Sequence, residues 1–417
     1  MKLRRKFLAF FLSSTVLFVG CRGSALPGGL GHASDDSTTT IVVGPYVQAP
    51  GDGTMTILWH TDLESTSEVE YGSGPQYGHL VRGIVYKQQP SIDDELYAGV
   101  LPETFKHKVI LTGLDPGQIV HYRVLSAPEP TRDATFRTVP DDDDPFAFVI
   151  FGDTRTNDDD HAMVISTIME EAGDAVFVVH TGDMVSAGGV LSQWQDFFTV
   201  EAPLMRQIPL FGVMGNHELI GGRTLVESYF EPPPSSTSES SLHYSFDLGP
   251  IHITVLDIYE MDFDPHRDWV EEDLADSAAP FKIVVLHPPL YTFSKHSPDT
   301  ETRAWLLPIC VQTGVQAVFS GHNHGYERFF GSGIQFVVTA GGGAPLYDGV
   351  ADMDHDNEGA QRVANAAAFH FVSGRYDHGV ITFDVIGAPD GNDLDCFVLD
   401  PARAGENISC QRTRSLR

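Results

Sequence analysis

Positive charge is what this sequence has least of. Only 26 Lys and Arg stand against 57 Asp and Glu, a formal net charge of −31 over 417 residues. Nucleic-acid backbones are held by Lys/Arg patches, and none runs through this chain, so a nucleic-acid binder is excluded. An anionic substrate is not excluded. Distant carboxylates are screened over about 8 Å at physiological salt, so the charge inside a site decides. Cysteine is scarce too. Four are present and no two are spaced CxxC, which argues against a thiolate zinc site. No Gly-rich stretch ends in GK[ST], so "AGGGAPLY" at 340–347 is not a P-loop; it falls where it could shape an active face. The apolar run "FLAFFLSSTVLFVG" is shorter than the roughly 20 residues a membrane helix needs. Internal repeats are absent.

What the N-terminus does have is the grammar of an export signal over 1–20: the basic "MKLRRK", then that apolar run. "LRRKFL" resembles a twin-arginine signal, and "LFVGC" resembles a lipobox that would leave Cys21 acylated; ordinary cleavage after Ala33 is the alternative. The localisation expected is periplasmic or cell-surface. Cys396 and Cys410 are placed to pair in an oxidising compartment, and Cys310 lies in an apolar stretch that reads as buried helix.

Residues 21–38 are Gly, Ser, Asp and Thr rich and read as a tether. Over 39–140 short alternating runs such as "TMTILWHTD" and "KHKVILTGLDPGQIVHYRVLSA" predict an all-β sandwich with Trp59 in its core. "LTGLDPG…YRV" with the upstream "LWHTD" resembles a fibronectin type III-like module. The Pro-bounded "PDDDDP" marks a boundary. From 146 to 390 apolar strands alternate with polar loops and amphipathic helices, the pattern of an α/β domain with mostly parallel strands. "HAMVISTIMEEAG" and "HRDWVEEDLADSAAP" predict helices, and "LHYSFDLGPIHITVLDI" a hairpin turned at 248–250. Residues 391–417 are left as a C-terminal extension. The acidic "ADMDHDNEG" lacks calcium-loop spacing and reads as solvated.

The chemistry lies in how the strands end. "FAFVIFGD" delivers Asp153, "DAVFVVHTGD" Asp183, "IPLFGVMGNHE" Asn216 and His217, "FKIVVLHPPLY" His287, and "QAVFSGHNH" His322 and His324. Sites in α/β sheets form beyond the carboxyl ends of the strands, so these side chains can converge. Two carboxylates, an amide and three imidazoles suit a pair of borderline metals such as Zn, Fe or Mn. On an extended segment the two imidazoles of "GHNH" would point the same way.

The series GD…GD…GNHE…VLH…GHNH resembles the calcineurin-like metallophosphoesterases, and "GHNHGYER" with "YSFDLGPIHITVLD" resembles their purple acid phosphatase branch, over roughly residues 40–385. The resemblance implies a layered αββα catalytic domain and two metal ions. It implies that Asp183 bridges them, that Asp153 and His324 bind the first, and that Asn216, His287 and His322 bind the second. His217 would stabilise the phosphoryl oxygen or protonate the leaving group, and His296 would stand in the second sphere. Such a pair lowers the pKa of a water from about 15.7 towards 7, giving a hydroxide that attacks phosphorus. The chain departs from the family twice: Ser186 stands where the purple branch has tyrosine, and Arg155 where the commoner variant has histidine. His161 or water could complete the first site. Arg155 either forks to substrate phosphate or pairs with the aspartates at 158–160.

The function expected is an exported dinuclear-metal phosphohydrolase for small phosphorylated substrates. The alternatives are a phosphodiesterase or nucleotide-cleaving enzyme, and an inactive surface binding protein with a degenerate metal site. Substrate choice would lie in loops 220–242 and 291–303.

Overall fold

The computed structural model describes residues 38–88, 103–126, 128–141, 144–233, 243–259, 263–347 and 352–410. The expected export signal and nearly all of the tether lie outside them, as does 234–242 of the first substrate loop. Among the described residues no helix is long and apolar enough to cross a membrane.

The chain begins with β1 (Ile41–Gly51), β2 (Thr54–Thr61), β3 (Glu68–Gly72), β4 (His79–Arg82), β5 (Ile84–Gln88), β6 (Thr104–Thr112), β7 (Ile119–Val124) and β8 (Ala134–Arg137). They pair into two antiparallel four-stranded sheets, β1-β2-β6-β5 and β4-β3-β7-β8. Alternate residues of both sheets (Val47, Ile57, Trp59, Val109, Leu111, Tyr122, Phe136) fill the space between them. Trp59 is wholly buried and stacks on His107 at 4.9 Å.

The second part starts with β9 (Phe146–Phe151), α1 (Asp158–Glu171), β10 (Val178–His180), α2 (Leu191–Met205), β11 (Leu210–Gly212) and α3 (Thr224–Tyr229). Then follow β12 (Tyr244–Leu248), β13 (Ile251–Leu256), α4 (Phe263–Asp276), β14 (Phe281–Leu286), α5 (Thr300–Thr313), β15 (Ala317–Ser320), β16 (Tyr326–Gly331) and β17 (Ile334–Thr339). The chain closes with β18 (Gln361–Ala366), β19 (His370–Asp377), β20 (Val380–Gly387), β21 (Asp393–Leu399) and β22 (Ile408–Ser409). Two seven-stranded sheets result, β11-β10-β9-β19-β20-β21-β22 and β12-β13-β14-β15-β17-β16-β18.

Strands such as β9 and β13 are buried along their whole length because each sheet is covered on both faces. Phe148, Ile150, Phe177 and Val179 meet Phe246, Ile253, Ile283 and Phe319 between the sheets. Helices α1, α2 and α3 cover the outer face of one sheet through Val164, Ile168, Trp194, Phe197 and Val226. Leu274, Leu306 and Cys310 of α4 and α5 cover the other. The layers are therefore helix, sheet, sheet, helix.

Two expectations need correction. Only β9, β10 and β11 in one sheet and β13, β14, β15 and β17 in the other run parallel; the remaining strands join antiparallel. The sheets are mixed because the last third of the chain returns through hairpins, which need no crossover helix. β21 and β22 pair into the first sheet, so it continues past residue 390, and the Cys396–Cys410 disulfide ties its last two strands together.

The sandwich is fastened to the helical side of the first sheet. Tyr46 donates its hydroxyl to Tyr229 O at 2.7 Å and Gln48 Nε2 donates to Leu210 O at 2.8 Å. Lys106 and Lys108 both grip Glu231, at 2.6 and 2.7 Å. Tyr46, Val43 and Leu58 belong to the same apolar cluster as α2 and α3. The sandwich thus braces the segment that follows Asn216 and His217.

Candidate metal centre

Five parallel strands end on one side of the two sheets, and each hands its polar residue to the same place. Asp153 follows β9, Asp183 follows β10, Asn216 and His217 follow β11, His287 follows β14, and His322 and His324 follow β15. Ligand-capable atoms of Asp183, His287 and His322 lie within 4.8 Å of one another, and so do those of Asp153, Asp183 and His324. Asp183 is common to both groups. His322 Nδ1 and Asn216 Oδ1 meet at 3.0 Å, which adds the amide to the His287 side. Every metal ligand expected from the sequence is in this cluster.

The backbone is bent to make it so. Asp153, Asp183 and His322 all have positive φ (58°, 56° and 70°), a region non-glycine residues rarely occupy and one that concentrates at functional sites. "GHNH" is a loop rather than an extended segment, so the alternation argument for its imidazoles does not hold. His322 instead turns in left-handed conformation and donates its backbone N–H to the Asp153 carboxylate at 3.0 Å. Gly321 lets that happen: a Cβ there would lie 2.4 Å from Asp153 Oδ2.

The imidazoles are oriented by carbonyls. His287 Nδ1 donates to Thr181 O and His324 Nδ1 to Pro345 O, each at 2.8 Å, which turns Nε2 of each towards a carboxylate, Asp183 Oδ1 at 3.3 Å and Asp153 Oδ1 at 3.5 Å. His287 Nε2 is buried, 3.3 Å from Asp183 Oδ1, and has no hydrogen-bond partner. A buried nitrogen with no hydrogen-bond partner that faces the Asp183 carboxylate suits a metal ligand, so the donor set fits a pair of borderline cations.

The electrostatics agree. Burial, helped by the Asp183 charge, pushes Asp153 up to about 8. Burial also opposes ionisation of Asp183, but His287 and the His217 N–H outweigh it and hold the carboxyl well below its usual range. For His287 burial works against protonation, yet the Asp183 charge raises it to about 9. Burial drives His322 to about 3 and His324 to about 4, so both are neutral, lone-pair donors at ordinary pH. Incoming cations would displace the protons on Asp153 and His287.

The outer residues fall into place unevenly. His217 donates Nδ1–H to Ser186 O at 2.7 Å and presents Nε2 3.9 Å from Asp183 Oδ2, at the mouth. His296 reaches the mouth too: its ring is 4.6 Å from that of His322, and Nε2 is 3.1 Å from the Tyr347 hydroxyl. Arg155 donates from Nε to Asp183 Oδ2 at 3.2 Å and reaches His324 Nε2 at 3.3 Å. It therefore does not pair with the aspartates at 158–160. His161 is in neither ligand group; its Nε2 is taken up by buried Glu201 at 2.8 Å. Ser186 Oγ meets Thr156 Oγ1 at 3.0 Å.

Sequence reasoning missed Glu218. Wholly buried, its carboxylate accepts backbone N–H from Asp183, Gly215, Met184 and Val185 at 2.8–3.2 Å, clamping the loops after β10 and β11. Its acid beside the "GNH" ligands was the available signal. Tyr347, which stacks on His324 at 4.3 Å, was visible only as the end of "AGGGAPLY".

This layering and this constellation define a metallophosphoesterase fold. Residues 146–326 match the calcineurin-like phosphoesterase family, and the chain carries that domain. Purple acid phosphatase 18 of Arabidopsis thaliana is 28% identical over 68% of this chain and 65% of its own length; purple acid phosphatase 23 of the same plant is 28% identical over 63% and 66%. The chain thus spans just under two thirds of these relatives. The phosphoenolpyruvate phosphatase of Allium cepa is 27% identical over 80% of this chain and 74% of its own. In structure, a purple acid phosphatase from yellow lupin seeds superposes with a TM-score of 0.72 at 19% identity, covering 85% of this chain and 74% of the other. PhoD superposes at 0.65 with 12% identity, covering 92% and 95%.

Proposed function

We propose that the chain is an exported phosphohydrolase that cleaves phosphate esters of small molecules at a two-metal centre. The observation that carries the reading is the shared Asp183 between two ligand groups, with a buried, unpartnered His287 Nε2 aimed at it. Asp183 would bridge the ions, Asp153 and His324 would hold one, and Asn216, His287 and His322 the other. Bound there, two divalent ions would supply Lewis acidity towards the phosphoryl group and a nucleophilic water near neutral pH.

The protein's own groups do the rest. Thr181 O, Pro345 O and the His322 N–H fix the ligand atoms before any substrate arrives, so little reorganisation is left for the reaction. Glu218 holds Asp183 in its bent conformation through the Asp183 N–H. His217, anchored on Ser186 O, faces the open side with Nε2, where it can stabilise a phosphoryl oxygen or pass a proton to the departing alcohol. Arg155, with its side chain 17% exposed, bonds Asp183, Thr156 and His324, and would turn its fork to the phosphoryl oxygens once Asp183 and His324 hold metal. His296, held through its backbone N–H on Asn323 Oδ1, closes the other side.

The Cys396–Cys410 disulfide supports an oxidising compartment, as residues 1–20 do, and Cys21 is the site for a lipid anchor. We read the sandwich as fibronectin type III-like. The test is turnover of p-nitrophenyl phosphate and bis(p-nitrophenyl) phosphate after loading with Mn, Zn or Fe, wild type against Asp183→Ala. Turnover of the monoester, lost in the variant, supports the reading; faster turnover of the diester points to a phosphodiesterase. No turnover of either makes this a binding protein.

A further inference from the structure

One rim of the mouth carries a cation with no carboxylate partner among the described residues. In a chain with 57 acidic residues the other described lysines are engaged. Lys87 pairs with Glu103, Lys106 and Lys108 with Glu231, and Lys282 donates to Leu274 O and Thr313 O. Lys295 has no hydrogen bond or ion pair among the described residues. Its ammonium instead sits over the Tyr347 ring, 4.7 Å from the centroid. Three described carboxylates of the same rim are already committed. Glu327 accepts from Thr292, Phe293 and Arg362, Asp352 pairs with Arg362, and Asp356 with Arg303.

Tyr347 ties that lysine to the metal centre. The same ring stacks on His324, whose Nε2 belongs to the Asp153–Asp183 group, and its hydroxyl meets His296 Nε2. Lys295 therefore stands one stacked ring away from a metal-facing imidazole. Arg155 approaches the same imidazole, 3.3 Å from His324 Nε2, so a phosphoryl group held on the Arg155 side would lie one stacked ring from the ammonium. A free ammonium beside a bound ester, on a surface that otherwise repels anions, selects for a substrate that carries a second negative charge.

We propose that Lys295, with Tyr347 and His296, forms a subsite for a second anionic group of the substrate, so that the chain favours small phosphate esters bearing a carboxylate or a further phosphate near the ester oxygen. This rests on the phosphohydrolase reading of the centre and specifies its substrate class.

The test compares binding of phosphonoacetate, which carries a carboxylate beside its phosphonate, with binding of methylphosphonate, which does not. Calorimetry on the metal-loaded full chain gives the ratio of the two affinities without requiring turnover. A charge-assisted contact at an open rim gives wild type a five- to tenfold preference for phosphonoacetate, of the order expected for one such bond after solvent screening. Lys295→Gln should reduce that ratio to about one, Lys295→Arg should keep it, and rising salt should erode it in wild type and Lys295→Arg but not in Lys295→Gln. An equal ratio in wild type and Lys295→Gln, or no preference in wild type, overturns the subsite. Failure of the parent reading looks different: p-nitrophenyl phosphate is then not turned over, whatever the phosphonates do.

Discussion

Replacing Glu218 by Gln should cost the fold far more than the change of one oxygen to an amide suggests. The carboxylate accepts four buried N–H groups: Asp183 and Gly215 on Oε2, each at 2.9 Å, and Met184 and Val185 on Oε1, at 2.8 and 3.2 Å. Gln keeps one acceptor and turns an NH2 towards the other pair, so two buried donors lose their partner. Each orphaned donor costs about 1–3 kcal/mol, which sums to about 4 kcal/mol. Burial and the Asp183 charge raise Glu218 to about 7, whereas four converging donors favour the carboxylate, so the comparison belongs at pH 8. Urea unfolding of wild type and Glu218→Gln, with and without metal, measures the difference. The loss should be larger in the metal-loaded protein, because the clamp holds Asp183 in its ligand conformation. A loss below about 1 kcal/mol in both states would refute the argument that these four bonds fix the site.

Three further outcomes follow from particular contacts. Gly321→Ala puts a methyl 2.4 Å from Asp153 Oδ2 and should lower metal affinity at least tenfold, read by competition with a chelating dye. His252, bonded to Asp247 and Asp273, is raised to about 9 because those bonds outweigh its burial. Its stabilisation is complete below its ordinary value of 6.5 and fades as pH rises through 9, so His252→Gln should lose about 2 kcal/mol at pH 6 and little at pH 10 in denaturant titrations. Cys410→Ser opens a bridge between residues 14 apart and should lower stability by about 3 kcal/mol in denaturant unfolding, with the β21–β22 pairing fraying first by hydrogen exchange.

The metal cluster was legible because it follows from strand periodicity: five apolar runs end on a polar residue, and parallel strands end on the same side. The "LHYSFDLGPIHITVLDI" hairpin was legible for the same reason, and pairs Leu248 with Ile251 as its turn requires. What sequence cannot show is backbone bending. The positive φ of His322 converts a loop into a ligand pair by a route that alternation does not describe. Nor does sequence distinguish a buried histidine that binds a carboxylate, as His161 does with Glu201, from one whose buried Nε2 has no hydrogen-bond partner in a candidate ligand group, as in His287. Both read as histidines in apolar surroundings; only the partner of the free nitrogen separates them. The other antiparallel pairings escaped notice because β18–β21 alternate as a solvent-facing meander would, and their pairing onto buried strands is a long-range choice.

The most direct measurement is metal content by plasma emission on the purified full chain, set beside a titration of phosphomonoester hydrolysis with added metal, for wild type and Asp183→Ala. Two ions per wild-type chain are expected, with activity rising until the second is bound, and neither tight binding nor turnover in the variant. One ion or none after supplementation with Mn, Zn and Fe, or activity unchanged by loss of Asp183, would contradict a centre built on that shared carboxylate.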